Sequence, residues 1–268
     1  MIKQSLIDLE SMFDIQKQDP TIKDIQDPLE FEPKSGELVF DNVKFQYNNE
    51  RQILKGISFR VGAGKQMAIV GPSGAGKTTI NRLLFRFYDP TEGTITIDGV
   101  DITKIRQSDL RKHVGIVPQD TVLFNDTTLA KTAQIHDKIE QFPSAWETKV
   151  GERGLRLSGG EKQRVAIARS VLKAPHVMVF DEATASLDTN TEKEIQDNLR
   201  KAFKGKITTI VLAHRLSTII DSDEIIVVKE GAIIERGTHD ELLLMNGEYK
   251  LLWDKQSTSN NMYLKETV

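Results

Sequence analysis

The stretch QMAIVGPSGAGKTT, residues 66–79, decides the fold of this chain. A short apolar run leads directly into Gly71–Thr78, which fits the pattern G-x-x-x-x-G-K-[ST]. Glycines at the two fixed positions let backbone N–H groups turn inward around phosphate oxygens, and the helix that follows adds its positive N-terminal end. We therefore predict a strand, a phosphate-binding loop and a helix from about Lys77 to Phe87.

The loop predicts a nucleotide-binding site with Mg²⁺. Lys77 should reach the β- and γ-phosphates, and the Thr78 hydroxyl should bind the metal. A chance glycine turn before a helix is the alternative, which the preceding strand and the following helix disfavour. The predicted nucleotide-binding residues of this segment are Gly71, Pro72, Ser73, Gly74, Ala75, Gly76, Lys77, Thr78 and Thr79.

Working outward, strand patterns and helical patterns alternate along the chain. The apolar or alternating runs that predict strands are LVFDNVKFQY, TITIDGVDI with a turn at Asp98-Gly99, VGIVPQ, HVMVFDE, ITTIVLAHR and EIIVVKEGAIIERG. Helical patterns occupy Arg164–Lys173, Glu192–Phe203 and His239–Met245. This alternation predicts an α/β fold with a mainly parallel, helix-covered sheet and an antiparallel β piece on its N-terminal side.

Composition bounds the remaining possibilities. The 268 residues carry a net charge of −3, which gives no general attraction to nucleic acid, and the absence of cysteine excludes disulfides and thiolate metal sites. No apolar run approaches the roughly 20 residues of a membrane helix, and the N-terminus has no targeting signal, so the chain by itself is expected to be soluble. The predicted organisation is an amphipathic helix at 1–18, a proline-rich linker at 19–36, a nucleotide-binding domain at 37–250 and a C-terminal tail at 251–268.

Acidic residues at the end of one predicted strand suggest the chemistry. VMVFDE ends in Asp181, a candidate metal ligand, and Glu182, a candidate general base for the attacking water. Such a pair is also typical of a helix cap or a solvated turn. His214 follows another strand and is a candidate for orienting that water, although a histidine there is often an ordinary surface residue.

LSGGEKQR, residues 157–164, contains a second glycine pair. Ser158 and Glu161 form a capping-box pattern, so the stretch could simply start a helix. A helix N-terminus with a serine and two glycines is equally an anion site. One chain would then carry two phosphate sites, which is resolved if the second faces the nucleotide of another copy.

In this order the phosphate loop, VPQD, LSGGEKQR, VMVFDEATASLD and AHRLS resemble the nucleotide-binding domain of an ABC transporter. The resemblance implies a P-loop NTPase fold of the ABC type, in which Tyr47 stacks on adenine and Gln119 senses the metal and the γ-phosphate. His214 would act as the switch histidine. The signature stretch and the segment after Glu182 would face the partner copy through Leu157, Ser158, Gly159, Gly160, Glu161, Ser186 and Asp188.

IDLESMFD, RLLFRFYDP and LSTIIDSDEIIVV resemble more closely the half-transporters of the heavy-metal-tolerance and mitochondrial exporter branch. That resemblance implies a homodimer whose ATP hydrolysis powers export of a metal-, glutathione- or porphyrin-related substrate. It also implies a membrane location, either the mitochondrial inner membrane with the cassette facing the matrix or a vacuolar or lysosomal membrane.

Two departures from that family leave alternatives open. The membrane domain is not present, and residues 2–17 look like the cytoplasmic end of its last helix. The segment between Gln119 and Ser158 is shorter than in the family by roughly twenty residues, equivalent to about 30 Å of helix, so a shortened helical subdomain is expected. A truncated ATP-binding module without transport activity, or a non-transport ABC ATPase acting on protein partners, would also fit.

Overall fold

A computed structural model describes residues 22–48, 51–117, 173–181, 203–213 and 215–265, together with the single positions 140, 167, 170 and 199. In chain order the described elements are β1 (Leu38–Gln46), β2 (Gln52–Val61), β3 (Gln66–Val70), α1 (Lys77–Leu84), β4 (Glu92–Ile97), β5 (Val100–Asp101), α2 (Gln107–His113), β6 (Val114–Val117), β7 (Val177–Asp181), β8 (Thr208–Leu212), β9 (Glu224–Lys229), β10 (Ala232–Gly237), α3 (His239–Leu244) and α4 (Glu248–Lys265). None of the helices in this part of the chain is long and apolar enough to cross a membrane.

The larger described sheet has the order β10-β9-β3-β8-β7-β6. Its pairs are parallel from β9 through to β6, and β10 adds an antiparallel edge. Ile69 of β3 and Asp181 of β7 both pair with Leu212 of β8, so these strands end at the same edge of the sheet. In parallel α/β sheets this carboxyl edge is where ligands bind.

The smaller described sheet is antiparallel, with the order β2-β1-β4-β5. The predicted hairpin is confirmed, because Ile97 pairs with Val100 around the Asp98-Gly99 turn. The prediction of a mainly parallel sheet with an N-terminal antiparallel piece is therefore correct.

The core explains why β3 reads as a continuous apolar run. Met67 and Ile69 belong to a cluster packed against the antiparallel sheet, whereas Ala68 and Val70 belong to a second cluster with residues of α3 and α4. Because successive side chains of a strand point to opposite faces, a strand covered on both sides is apolar over most of its length.

Helix α1 ends three residues before the predicted Phe87. Arg86 has φ of 51°, a left-handed conformation that stops the helix. Helix α3 matches the predicted His239–Met245 segment, and Thr238 and Glu241 form a capping box at its start. The predicted helices at 164–173 and 192–203 lie almost entirely outside the described residues.

Three described elements were not predicted from the sequence, namely β2, α2 and α4. The run QILKGISFRV of β2 contains Lys55 and Gly56 in its interior. These two residues make the alternation of buried and exposed positions difficult to recognise from the sequence. EIIVVKEGAIIERG, predicted as a single run, forms two antiparallel strands because Glu230 and Gly231 both adopt positive φ and turn the chain.

The described part of the predicted linker, residues 22–36, packs onto the domain. Leu29 N donates to Lys104 O at 2.9 Å, and Asp24 Oδ1 accepts from Gln107 N at 2.9 Å. The end of this segment is fastened by Asp98, whose carboxylate accepts four backbone N–H groups, those of Lys34, Ser35, Gly36 and Glu37, at 2.7–3.0 Å. The turn of the antiparallel sheet thus fixes the point at which the chain enters the domain.

Asp98→Asn is expected to lower the free energy of unfolding by about 1–2 kcal/mol at neutral pH, because one carboxylate oxygen that accepts N–H groups is replaced by a donor in a partly solvated site. Partial burial would raise the pKa of Asp98, but the hydrogen bonds from the Ser35 side chain and from the backbone outweigh it and hold the pKa well below its usual value. The stabilisation is therefore present above the unfolded-state pKa and is lost as pH falls toward the folded-state pKa.

Urea unfolding of the wild type and Asp98→Asn from pH 7 down to pH 3 checks this prediction. The difference in stability should narrow as the solution is acidified below about pH 4, where the unfolded carboxyl takes up its proton. Asp254→Asn in α4 is the control for removal of an acidic group. A difference that stays constant or widens with acid would contradict the assigned role of the carboxylate.

Candidate nucleotide-binding site

The phosphate-binding loop joins the end of β3 to the start of α1, and two of its glycines are required by close contacts. A Cβ on Gly71 would lie 2.0 Å from the Val228 carbonyl oxygen, and one on Gly76 would lie 2.8 Å from Leu54 Cδ2. Both residues also have positive φ, of 151° and 111°. The loop is therefore wedged between its own sheet and β2, which holds its backbone in one shape.

The N-terminus of α1 is suited to an anion. Gly76 at the N-cap provides no side-chain hydrogen bond, and the first turn contains no acidic residue. The first N–H groups of a helix lack partners within the helix, and the helix dipole adds positive potential there. A phosphate can therefore take the place that an N-cap side chain would normally occupy.

Lys77 places a cation at the same point. Its ammonium donates to the carbonyl oxygens of Gly71 at 2.7 Å and of Pro72 at 3.1 Å, and the residue is only 7% exposed. These two carbonyl oxygens thus hold the ammonium group of Lys77 close to the backbone of the phosphate-binding loop. This arrangement can attract and neutralise a polyphosphate.

Asp181 ends β7, two strands away from the loop, and is connected to α1 by Asn81. Asn81 Nδ2 donates to Asp181 Oδ2 at 2.9 Å. Asn81 is 7% exposed, and its Oδ1 atom has no hydrogen-bond partner among the described residues. One oxygen of the Asp181 carboxylate is therefore oriented by the helix that carries Lys77 and Thr78.

The side chains near the loop fit a magnesium ion better than a softer metal. Thr78, which is exposed, and Asp181 offer oxygen ligands, which Mg²⁺ prefers. Among the described residues, no group of three or more histidine, aspartate or glutamate side chains could hold a metal alone. Mg²⁺ is usually held by one or two protein ligands together with substrate phosphates and water.

Tyr47, directly after β1, presents a partly exposed aromatic ring beside α1. Phe45 and Tyr88 contact it edge-on, with centroid distances of 4.8 and 5.1 Å. Its hydroxyl lies 3.1 Å from Thr79 Oγ1 and accepts a hydrogen bond from Arg82 Nη1 at 3.1 Å. A ring held at its edges and 42% exposed suits stacking against a planar base.

The described structure brings together several of the predicted residues: Tyr47, the loop from Gly71 to Thr79, and Asp181. The remaining predicted positions lie outside the described residues: Gln119, Leu157, Ser158, Gly159, Gly160, Glu161, Glu182, Ser186, Asp188 and His214. Sequence reasoning missed Asn81, Arg82 and Tyr88. Helical spacing gives a signal for two of them, because Asn81 is four residues after Lys77 and Arg82 is three after Thr79.

Comparison with known proteins gives consistent matches. The family model for ABC transporters matches residues 54–185. The chain is 51% identical over 97% of its length to ATP-binding cassette sub-family B member 6 of Xenopus tropicalis, of which it covers 33%. It is 48% identical over 96% of its length to the mitochondrial iron-sulfur clusters transporter ATM1 of Chaetomium globosum, of which it covers 46%.

Among solved structures, a bacterial Atm1-family ABC exporter with ATP bound matches with a TM-score of 0.86. The sequence identity is 48%, and the match covers 96% of this chain and 48% of that protein. The chain therefore spans about a third to a half of the length of the relatives that it matches. The match to sub-family B member 6 of Mus musculus covers the whole chain of 268 residues but extends over 287 positions, so that relative has residues without a counterpart here.

Proposed function

This chain belongs to the ABC transporter family as a nucleotide-binding domain, and from that premise we propose that it binds and hydrolyses Mg·ATP as one half of a homodimer. The observation that carries the proposal is the shared edge of β3, β8 and β7. There α1 carries both Lys77, held against the loop, and Asn81, which donates to the carboxylate of Asp181.

In the proposed complex the phosphates lie in the loop between Gly71 and Thr79, and the adenine stacks on Tyr47. Lys77 exchanges its bonds to loop carbonyls for bonds to the β- and γ-phosphates. Thr78, Asp181 and Gln119 would hold the magnesium ion. Bound Mg²⁺ would supply positive charge that offsets the negative charge of the phosphate oxygens.

The proposed hydrolytic residues follow the ends of neighbouring strands. Glu182 comes directly after Asp181, and His214 comes two residues after the end of β8. The described strands β7 and β8 are parallel partners that end together at the edge where the loop lies, which supports these two residues as candidates for the hydrolytic site. Glu182 takes the proton of the attacking water, and His214 orients that water near the γ-phosphate.

A second copy completes the proposed site. Leu157, Ser158, Gly159, Gly160 and Glu161 of one copy bind the γ-phosphate held by the loop of the other, and Ser186 and Asp188 contact that copy across the interface. The similarity to an ATP-bound Atm1-family exporter supports ATP binding by this domain, and the head-to-tail arrangement of two copies is part of the proposal. ATP then acts as the adhesive between two copies, and hydrolysis removes it.

The proposed biological role is to power export by a half-size transporter whose membrane domain is not part of this sequence. Two of the relatives are named iron-sulfur clusters transporters, which supports iron–sulfur-related compounds as the class of substrate. Porphyrin and glutathione–metal compounds remain in the proposal through the resemblance of the sequence motifs alone. The same names favour a mitochondrial location over a vacuolar or lysosomal membrane. We propose the inner membrane, with the cassette facing the matrix.

A second candidate function is ATP capture without turnover. The extra aligned positions in the Mus musculus relative favour it, since they support a shortened segment within the matched region. If that segment is the helical subdomain between Gln119 and Ser158, the signature stretch would lose part of its support.

Phosphate release from Mg·ATP, measured at steady state with Glu182→Gln as the blank, separates the two functions. A wild-type rate clearly above that blank supports the ATPase. A wild-type rate equal both to the blank and to the rate in buffer without protein, with ATP binding retained, would support the capture module instead.

A further inference from the structure

Three polar side chains form a continuous hydrogen-bonded row beside the phosphate-binding loop. Arg82 Nη1 lies 3.1 Å from the Tyr47 hydroxyl, which in turn lies 3.1 Å from Thr79 Oγ1. Thr79 and Arg82 are three positions apart in α1, so their side chains share a face of the helix. The row joins the exposed ring of Tyr47 to a hydroxyl two residues after Lys77.

The direction of these hydrogen bonds follows from the chemistry of arginine. A guanidinium group only donates, so the Tyr47 oxygen must accept from Arg82. Tyr47 then has a single O–H left, and its donation to Thr79 Oγ1 completes the row. Thr79 accepts from Tyr47, and its own hydroxyl hydrogen can turn toward another acceptor.

The surroundings of the three side chains favour this direction of donation, from Arg82 to Tyr47 to Thr79. Thr79 is 5% exposed, and hydrogen bonds in a poorly solvated site polarise one another. The positive charge at the Arg82 end makes each following hydroxyl a better donor. Arg82 also lies over the Tyr47 ring, with its Cζ atom 5.7 Å from the ring centroid.

We propose that Arg82 is a positioning residue for nucleotide binding that acts through Tyr47 and Thr79. It fixes the Tyr47 ring in place and directs the Thr79 hydroxyl hydrogen toward a phosphate oxygen, so that binding of the base and binding of the phosphate are coupled. The proposal rests on the function proposed above, in which Tyr47 stacks on the base and the loop holds the phosphates.

Binding of the non-hydrolysable analogue AMP-PNP, measured by calorimetry, tests the proposal. Tyr47→Phe keeps the ring but removes the central hydroxyl, and it should weaken binding by about 3- to 10-fold, the range expected for one hydrogen bond. Arg82→Gln should weaken binding by a similar factor. The double variant should bind no more weakly than either single variant, because both changes break the same row.

Non-additivity separates this role from simple charge attraction. A solvated arginine that only attracts a triphosphate would still weaken binding when replaced in the Tyr47→Phe background, and that result would overturn the proposal. Wild-type binding by Tyr47→Phe would overturn it as well. Arg60→Gln, which removes an exposed arginine of β2 paired with Glu37, is the matched control and should leave binding unchanged.

Inorganic tripolyphosphate, which has no base, distinguishes the two ends of the row. Arg82→Gln should weaken tripolyphosphate binding too, because Thr79 loses its orientation; an unchanged affinity would contradict the coupling. Tyr47→Ala should abolish any preference for AMP-PNP over tripolyphosphate. If that preference survives, the stacking role of Tyr47 in the proposed function is wrong, whatever the result for Arg82.

Discussion

Lys77→Met is expected to reduce ATP turnover by about 10²- to 10³-fold. A loss of this size is typical when one donor to the charge that develops in the transition state is removed. The ammonium of Lys77 is held against the loop by the carbonyl oxygens of Gly71 and Pro72. Methionine has a similar length and flexibility but no charge. The variant should therefore lose neutralisation of the γ-phosphate while keeping most of the packing of the helix.

Steady-state phosphate release and thermal unfolding, measured on the same samples, check this prediction. Lys65→Met is the matched control, because Lys65 lies just before β3, forms an exposed ion pair with Asp223 and is at the opposite end of that strand. The control should retain the wild-type rate. Turnover by Lys77→Met within a few-fold of the wild type would show that the loop is not the hydrolytic phosphate site.

The second large effect is expected for Glu182→Gln. Loss of a general base should lower turnover by about 10²- to 10⁴-fold while ATP binding persists. Because hydrolysis is the step that removes the adhesive nucleotide, the variant should accumulate as an ATP-bound dimer. Light scattering after gel filtration with Mg·ATP should then give twice the mass found without nucleotide.

Glu230→Gln, in the exposed turn between β9 and β10, is the control and should give the wild-type rate and mass. A Glu182→Gln variant that stays monomeric at saturating ATP would contradict the proposed dimer interface. One that hydrolyses ATP at the wild-type rate would exclude Glu182 as the base.

The parallel sheet could be predicted because its signal is local. Strands β3 and β7 are buried along most of their length, so MAIV and VMVF are apolar at every position, and turn residues mark their ends. The position of Asp181 follows from the same logic, since the carboxyl ends of parallel strands meet at one edge. Strand β2 escaped prediction because its interior contains Lys55 and Gly56, and its pairing with β1 depends on contacts distant in the sequence.

The missed site residues illustrate a different limit. Asn81 and Arg82 are ordinary polar residues of a helix until the strand ends are placed beside them. Their roles depend on Asp181, 100 residues later, and on Tyr47, 35 residues earlier. Helical spacing shows which positions share a face with Lys77 or Thr79, but only the three-dimensional structure identifies what that face meets.

The dependence of ATPase rate on protein concentration tests the central claim, a site shared between two copies, most directly. If LSGG of one copy completes the loop of the other, the rate per chain should rise with concentration through the dimerisation range, and total activity should rise faster than linearly. A rate per chain that stays constant across that range, with ATP saturating, would contradict the shared site.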